Sequence, residues 1–365
     1  MNSYLAQIIS QAAISRLSLI GLAKNVGKTT TTNHLLETLL TEKHYRADEL
    51  ALTSLGLDGE AVDALTGLPK PHYVPKAGML IATTAELLRQ AEDEGTRVEC
   101  LLRLPGRTAL GPVMLARILE PGRVVIAGPS LLRDLRGALD KLHTLGARLG
   151  IVDGAINRLG AASPQITDAC IVCTGASVGS TAQLVAKRTG DILLRLTTRQ
   201  TQWNAACKRL DRHVRLLVFS PYDIDGTVTI FSGSTEPASE AGWIFSHFTT
   251  HDVPVYVLRG ALTEELARAL LAQLPRRSSY RAGELVIEDA TRIFCHSVVL
   301  KRLAERGLDV RVMNPIHILA ITINPYTPEY ACTSQLLLDT LIEELPPLHA
   351  PIIDVVSGLF TKGAM

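Results

Sequence analysis

Apolar, β-branched runs alternate with amphipathic stretches almost from one end of the chain to the other. Runs at 17–21 (LSLIG), 50–54 (LALTS), 123–127 (RVVIA), 148–152 (RLGIV) and 169–174 (ACIVCT) read as strands. So do 214–219, 253–258, 284–288, 308–313, 317–323 and 351–356. They are short and continuous, the pattern of strands covered on both faces. Between them apolar residues recur at three and four, which predicts helices over 28–42, 84–93, 130–146, 262–274, 298–306 and 333–344. Thr83 and Thr84 sit where a helix would start. Strand–helix alternation of this kind predicts βαβ units, hence an α/β fold with a mostly parallel sheet. Two stretches read as seams: 175–200, and the Gly/Ser/Pro-rich 231–242, a surface loop by composition. The division expected is a first domain over 1–180 and a second α/β domain over 181–365.

Composition narrows the classes. The chain has 365 residues, 47% hydrophobic and 20% charged, with a formal net charge of +1. A near-neutral balance argues against nucleic acid as the main partner, and 4% aromatics supply few platforms for stacked bases. No apolar run reaches the roughly 18 residues of a membrane span. The N-terminal 21 residues read as a short helix entering a strand, not as a leader, so the expected compartment is the cytoplasm. Six cysteines lie at 100, 170, 173, 207, 295 and 332. Cys170 and Cys173 form a C-x-x-C, but an offset of three along a strand sends side chains to opposite faces. Buried small hydrophobes are the expected reading, with a metal or redox pair as the alternative. His247 and His251 form an H-x-x-x-H where no helix is predicted, so no zinc site is expected.

One segment carries chemistry. Gly21-Leu22-Ala23-Lys24-Asn25-Val26-Gly27-Lys28-Thr29-Thr30 follows a strand and opens a helix, the setting of a phosphate-binding loop. Backbone N–H groups at the helix start and the helix dipole favour an anion. Gly27 lets the backbone approach phosphates closely. Lys28 is expected to bridge the β and γ phosphates of ATP, and Thr29 to place its hydroxyl on Mg²⁺. Lys24 is either a second phosphate contact or a solvated loop lysine. Five residues separate Gly21 from Gly27, one more than in G-x-x-x-x-G-K-T.

That five-residue spacer followed by V-G-K-T resembles dethiobiotin synthetase and the cobyrinic and cobyric acid synthetases. The resemblance implies a three-layer P-loop NTPase whose Mg²⁺ is held by an acid after the second strand and another in a later V-E-G-A-G-G-like segment. Asp58, in T-S-L-G-L-D-G-E, and Asp153, in L-G-I-V-D-G-A-I-N-R, stand at those places. An acid at the carboxyl end of a parallel strand faces the crevice where ligands bind, and a hard cation takes oxygen ligands. Each aspartate also precedes a glycine, so a plain turn is the alternative for both. The sequence departs from the pattern in using aspartate for glutamate and Ile156-Asn157 for the last glycines. Arg158 is either a phosphate contact or a rim arginine. Thr174-Gly175-Ala176-Ser177 either touches base and ribose or caps a helix.

A wider set of segments resembles a narrower family. A-K-N-V-G-K-T-T-T at 23–31, T-S-L-G-L-D-G-E at 53–60, P-K-P-H-Y-V-P at 69–75, D-G-A-I-N-R at 153–158 with S-P-Q-I-T-D-A at 163–169, and I-T-I-N-P-Y-T-P at 321–328 resemble the ATPase subunit of the reactivating factor for adenosylcobalamin-dependent lysine or ornithine aminomutases. The resemblance implies a Mg·ATP-dependent hydrolase that drives damaged cobalamin out of the mutase. It implies the mutase and a second reactivase subunit as partners, contacted by 181–365, and leaves a homo-oligomer open. The alternative is an ATP-dependent small-molecule ligase or kinase of the dethiobiotin or cobyrinic acid type.

Overall fold

The computed structural model describes residues 3–56, 72–106, 108–154, 159–220, 228–248, 254–274, 283–327, 332–345 and 349–361. It divides into two compact units, Met1–Thr189 with His317–Met365, and Gly190–Ile316. In chain order the first unit opens with helix α1 (Tyr4–Gln11), strand β1 (Arg16–Gly21), α2 (Lys28–Thr41), β2 (Leu50–Ser54) and β3 (Leu80–Thr84). Then come α3 (Ala85–Asp93), β4 (Arg97–Arg103), β5 (Val113–Glu120), α4 (Leu132–Thr144), β6 (Leu149–Asp153), β7 (Ala169–Gly175) and α5 (Ala182–Leu196), within which the division between the units falls after Thr189. The second unit carries α6 (Asn204–Arg209), β8 (Leu216–Phe219), β9 (Val228–Ile230), α7 (Pro237–Phe248), β10 (Val255–Leu258), α8 (Glu264–Gln273), β11 (Gly283–Ile287), α9 (Ser297–Glu305) and β12 (Leu308–Val312). The chain returns to the first unit with β13 (Ile318–Asn324), α10 (Ser334–Glu344) and β14 (Ile352–Ile353).

The first sheet has nine strands in the order β14-β13-β7-β1-β6-β2-β3-β5-β4. Its strands run parallel except for β5, which is antiparallel to both β3 and β4 and forms a hairpin with β4 at one edge. Strands β2, β3, β6 and β7 are buried at every position, which is why they read as unbroken apolar runs rather than as alternation. The core between α4 and the sheet is built from Leu80, Leu115, Ala138 and Leu142, continued by Leu135, Leu139 and Val152. The second unit is a five-stranded mixed sheet, β12-β11-β10-β8-β9, with β10, β11 and β12 parallel and β8 antiparallel to its neighbours. Both units are thus α/β with mixed, largely parallel sheets. Among the described residues no helix is long and apolar enough to cross a membrane.

Several expectations change. The expected second domain, 181–365, does not hold together as one unit: β13 pairs with β7 in register Thr322↔Cys173 and Asn324↔Gly175, so 317–365 belongs to the first. The 123–127 run is not a strand of either sheet. Val124 makes an isolated bridge to Tyr73. The Val125 and Ile126 carbonyls accept hydrogen bonds from the hydroxyls of Thr83 (3.0 Å) and Ser54 (3.2 Å) at the ends of β3 and β2. Side-chain donors take the place of a ladder. The 175–200 seam holds the whole of α5. The loop over 231–242 gives way to α7 from Pro237, whose Glu240 and Ala241 are buried. His247 therefore lies on a helix, while His251 is outside the described residues.

Candidate functional site

The phosphate-loop segment joins β1 to α2 at the carboxyl edge of the sheet, in its middle. Strand β6 lies directly beside β1 on one side and β7 on the other, so the chain crosses over in both directions from β1, the arrangement that opens a ligand crevice in α/β sheets. Gly27 is the N-cap of α2 with φ 83°, and no side chain caps the helix there. Asn25 is also left-handed, φ 59°, a conformation asparagine tolerates better than most residues. The first turn of a helix has no intrahelical partners for its N–H groups, and here those of Lys28, Thr29 and Thr30 begin α2. Lys24 and Thr29 are partly exposed, Asn25 and Thr30 are exposed, and Val26 is buried.

Lys28 is turned inward and is only 8% exposed. Its Nζ donates to the Gly154 carbonyl and stands 3.2 Å from Asp153 Oδ1. Asp153, at the end of β6, is itself buried, and its Oδ2 accepts the Tyr73 hydroxyl. Glycine leaves room at both ends of this arrangement. A Cβ on Gly21 would come within 2.9 Å of Lys28 Cδ, so the first glycine of the loop clears a path for the lysine stem. A Cβ on Gly154 would come within 2.7 Å of the Leu19 carbonyl oxygen. The Asp-Gly pair is therefore not only a turn: the glycine lets β6 close on β1 and presents the carbonyl that Lys28 uses.

The surroundings fix this pair in place. Asn33 on α2 donates to the His72 carbonyl at 2.9 Å, and Val124 N–H donates to the Tyr73 carbonyl at 3.1 Å, so Tyr73 reaches Asp153 from a segment tied at two points. On the other side, Asn324 at the end of β13 donates its amide to the Asn25 carbonyl at 2.7 Å, and Thr31 donates to the Thr322 hydroxyl at 3.2 Å. The chain's C-terminal return thus braces the loop and the start of α2. Cys173 lies under the same helix, where burial pushes its thiol up to about 11 against the opposing hydrogen bond from Thr322 and the nearby Lys28 charge. Burial pushes Cys170 up to about 12. Both are free thiols with no exposure, inert by protonation.

The structure thus brings Gly21, Gly27, Lys28 and Asp153 together. Asp58, Asn157 and Arg158 lie outside the described residues. Ser177 sits within a 3₁₀ turn, Ala176–Val178, and does not cap α5; its enclosed hydroxyl has no hydrogen-bond partner among the described residues. Thr174 shares a 2.7 Å hydrogen bond with Thr189. Tyr73 and Asn324 were not singled out by residue type. Their only signals are their places near prolines, in P-K-P-H-Y-V-P and I-T-I-N-P-Y. Among the described residues no three His, Cys, Asp or Glu side chains gather to hold a metal ion. A phosphate-bound Mg²⁺ does not require that, since it takes one or two carboxylates and keeps waters. A left-handed glycine cap, an uncapped helix start and a buried carboxylate beside the lysine together suit a magnesium-bound polyphosphate.

The chain matches no protein-family model, no curated protein and no solved structure.

Proposed function

We propose that this protein is a Mg·ATP-dependent P-loop hydrolase that acts as the ATPase of a reactivating factor for an adenosylcobalamin-dependent aminomutase. The observation that carries the nucleotide part is the pairing of Lys28, first residue of an uncapped helix, with Asp153 on the neighbouring strand. Withdrawing both charges from water can cost more than their attraction returns, which suits a pair whose cation has a second partner. Lys28 would exchange Asp153 and the Gly154 carbonyl for phosphate oxygens, and its flexible stem and point charge suit that exchange. Asp153, still holding the Tyr73 hydroxyl, would turn its other oxygen to the cation. Thr29 would add its hydroxyl. Bound Mg·ATP would supply the phosphoanhydride whose hydrolysis drives the cycle. Tyr73 and the tied 72–73 segment would then respond to whether Asp153 faces lysine or metal, a local change of partners with a wider readout. The aminomutase part rests on the sequence segments at 23–31, 53–60, 69–75, 153–169 and 321–328.

Phosphate release by the full chain tests this reading. Turnover should need Mg²⁺, rise when aminomutase holding damaged cobalamin is added, and accompany cobalamin release. Turnover that needs a small carboxylic acid and ignores the mutase would select the ligase reading instead. Binding of ATP without turnover under either condition would reduce the protein to a nucleotide-binding scaffold.

A further inference from the structure

Away from the phosphate loop, the β4–β5 hairpin and the start of α4 enclose a cavity of about 370 Å³, within the range of roughly 300–1,000 Å³ that small-molecule sites occupy. Its walls are apolar, from Leu102, Leu104, Val113 and Leu131. Its mouth is cationic, from Arg103, Arg133 and Lys141. Asp134 offsets one of these charges, at 3.4 Å from Arg133 Nε. Arg103 and Lys141 form no ion pair among the described residues.

The residue at the middle of the α4 wall is Gly137. Glycine weakens a helix interior relative to alanine, and here no packing demands it: a Cβ at 137 would meet nothing within 4 Å. The position gives up helix stability and leaves the cavity wide. The cavity also shares a turn with the nucleotide edge of the sheet. Pro129 and Ser130 line it, Gly56 N–H donates to the Pro129 carbonyl at 2.8 Å, and Gly128 N–H donates to Ser54 Oγ at 2.9 Å. Ser54 is in register with Asp153.

We propose that this cavity is a binding site for a small amphiphilic monoanion, a compact apolar body with one anionic head of the medium-chain carboxylate kind. The body fills the space between Leu102, Leu104, Val113 and Leu131 that Gly137 leaves open. The head meets Arg103 and Lys141 at the mouth. The site uses no residue of the phosphate loop, so it stands or falls apart from the nucleotide reading.

Calorimetric titration of the full chain with octanoate, and with octan-1-ol as the neutral counterpart, tests it. Octanoate should bind saturably at one site, and octan-1-ol roughly tenfold more weakly, the worth of one charge-assisted hydrogen bond. Exchanging both exposed cations, Arg103→Gln with Lys141→Gln, should bring octanoate down to the level of the alcohol and leave the alcohol unchanged. Gly137→Leu should remove binding of both while the protein's own melting temperature is kept or raised. No saturable octanoate binding, equal binding of octanoate and alcohol to the wild type, or undiminished binding in the two-cation variant would each overturn the proposal.

Discussion

Each unit buries a carboxylate against a cation, and the two pairs are built differently. In the first unit Asp153 and Lys28 are both withdrawn, with side chains 2% and 8% exposed. In the second, Glu240 on α7 is 1% exposed, but its partner Arg215 keeps 42% of its side chain in water. Arg215 meets Glu240 with two nitrogens, Nε to Oε1 and Nη2 to Oε2, a planar fork that fits one geometry. Gly260 is packed so closely that a Cβ there would lie 2.6 Å from Arg215 Nη1. The arginine pair ties α7 to the start of β8 and leaves its cation hydrated, which lowers the cost of the pair. The lysine pair has no fork. Its cation divides itself between a carboxylate and a carbonyl, and its carboxylate divides itself between an ammonium and a tyrosine. Fixed geometry suits a structural ion pair, and shared partners suit an exchangeable one of the kind proposed for Lys28.

That contrast can be broken in order of effect. Lys28→Ala should lower ATP turnover by about 10²–10³-fold, the usual loss when one preorganised charge-stabilising donor is removed, as read by phosphate release. Arg215→Ala strands a buried carboxylate and should cost on the order of 3 kcal/mol of stability in urea unfolding, with turnover per folded molecule unchanged. If Arg215→Ala also abolished turnover, the pairs would not be separable in this way. Tyr73→Phe removes only the hydroxyl that holds Asp153. Partners of metal-facing carboxylates are worth about 10- to 100-fold, so the Mg²⁺ concentration for half-maximal turnover should rise by about tenfold. Asn324→Ala removes one neutral hydrogen bond to the Asn25 carbonyl, worth about 1 kcal/mol; it should raise KM for ATP about fivefold with kcat nearly kept.

The sequence made the centre of the first sheet and its β13–β14 edge legible, and its β3-β5-β4 edge much less so. Strands β1, β2, β6 and β7 are covered on both faces, so burial wrote itself into them as continuous apolar runs. β4 is exposed at most positions (R-V-E-C-L-L-R) and leaves no such trace. β3 is fully buried, but it ends in two threonines that read as a helix start; Thr84 is both the last residue of β3 and the N-cap of α3, so the helix shows and the strand before it does not. The 123–127 run has the right composition for a strand and finds its partners in the Ser54 and Thr83 hydroxyls, which no local pattern announces. The return of β13 to pair with β7 joins residues about 150 apart in the chain, beyond the reach of periodicity. The same holds for the site. The loop and Asp153 show in the sequence because strand, glycine and lysine are contiguous. Tyr73 and Asn324 reach them from far along the chain, and only folding shows that one holds the carboxylate and the other the loop.

On the proposed reading, Lys28 and Asp153 form a phosphate and magnesium site rather than a structural pair. Equilibrium titration of the full chain with ATP, with Mg²⁺ and then with excess chelator, measured on the wild type, Lys28→Ala and Asp153→Asn, tests it most directly. The wild type should show one site that tightens with Mg²⁺, Lys28→Ala should lose binding, and Asp153→Asn should keep residual binding that no longer responds to Mg²⁺. A folded wild type that does not bind ATP, or a Lys28→Ala variant that binds it as the wild type does, would contradict it.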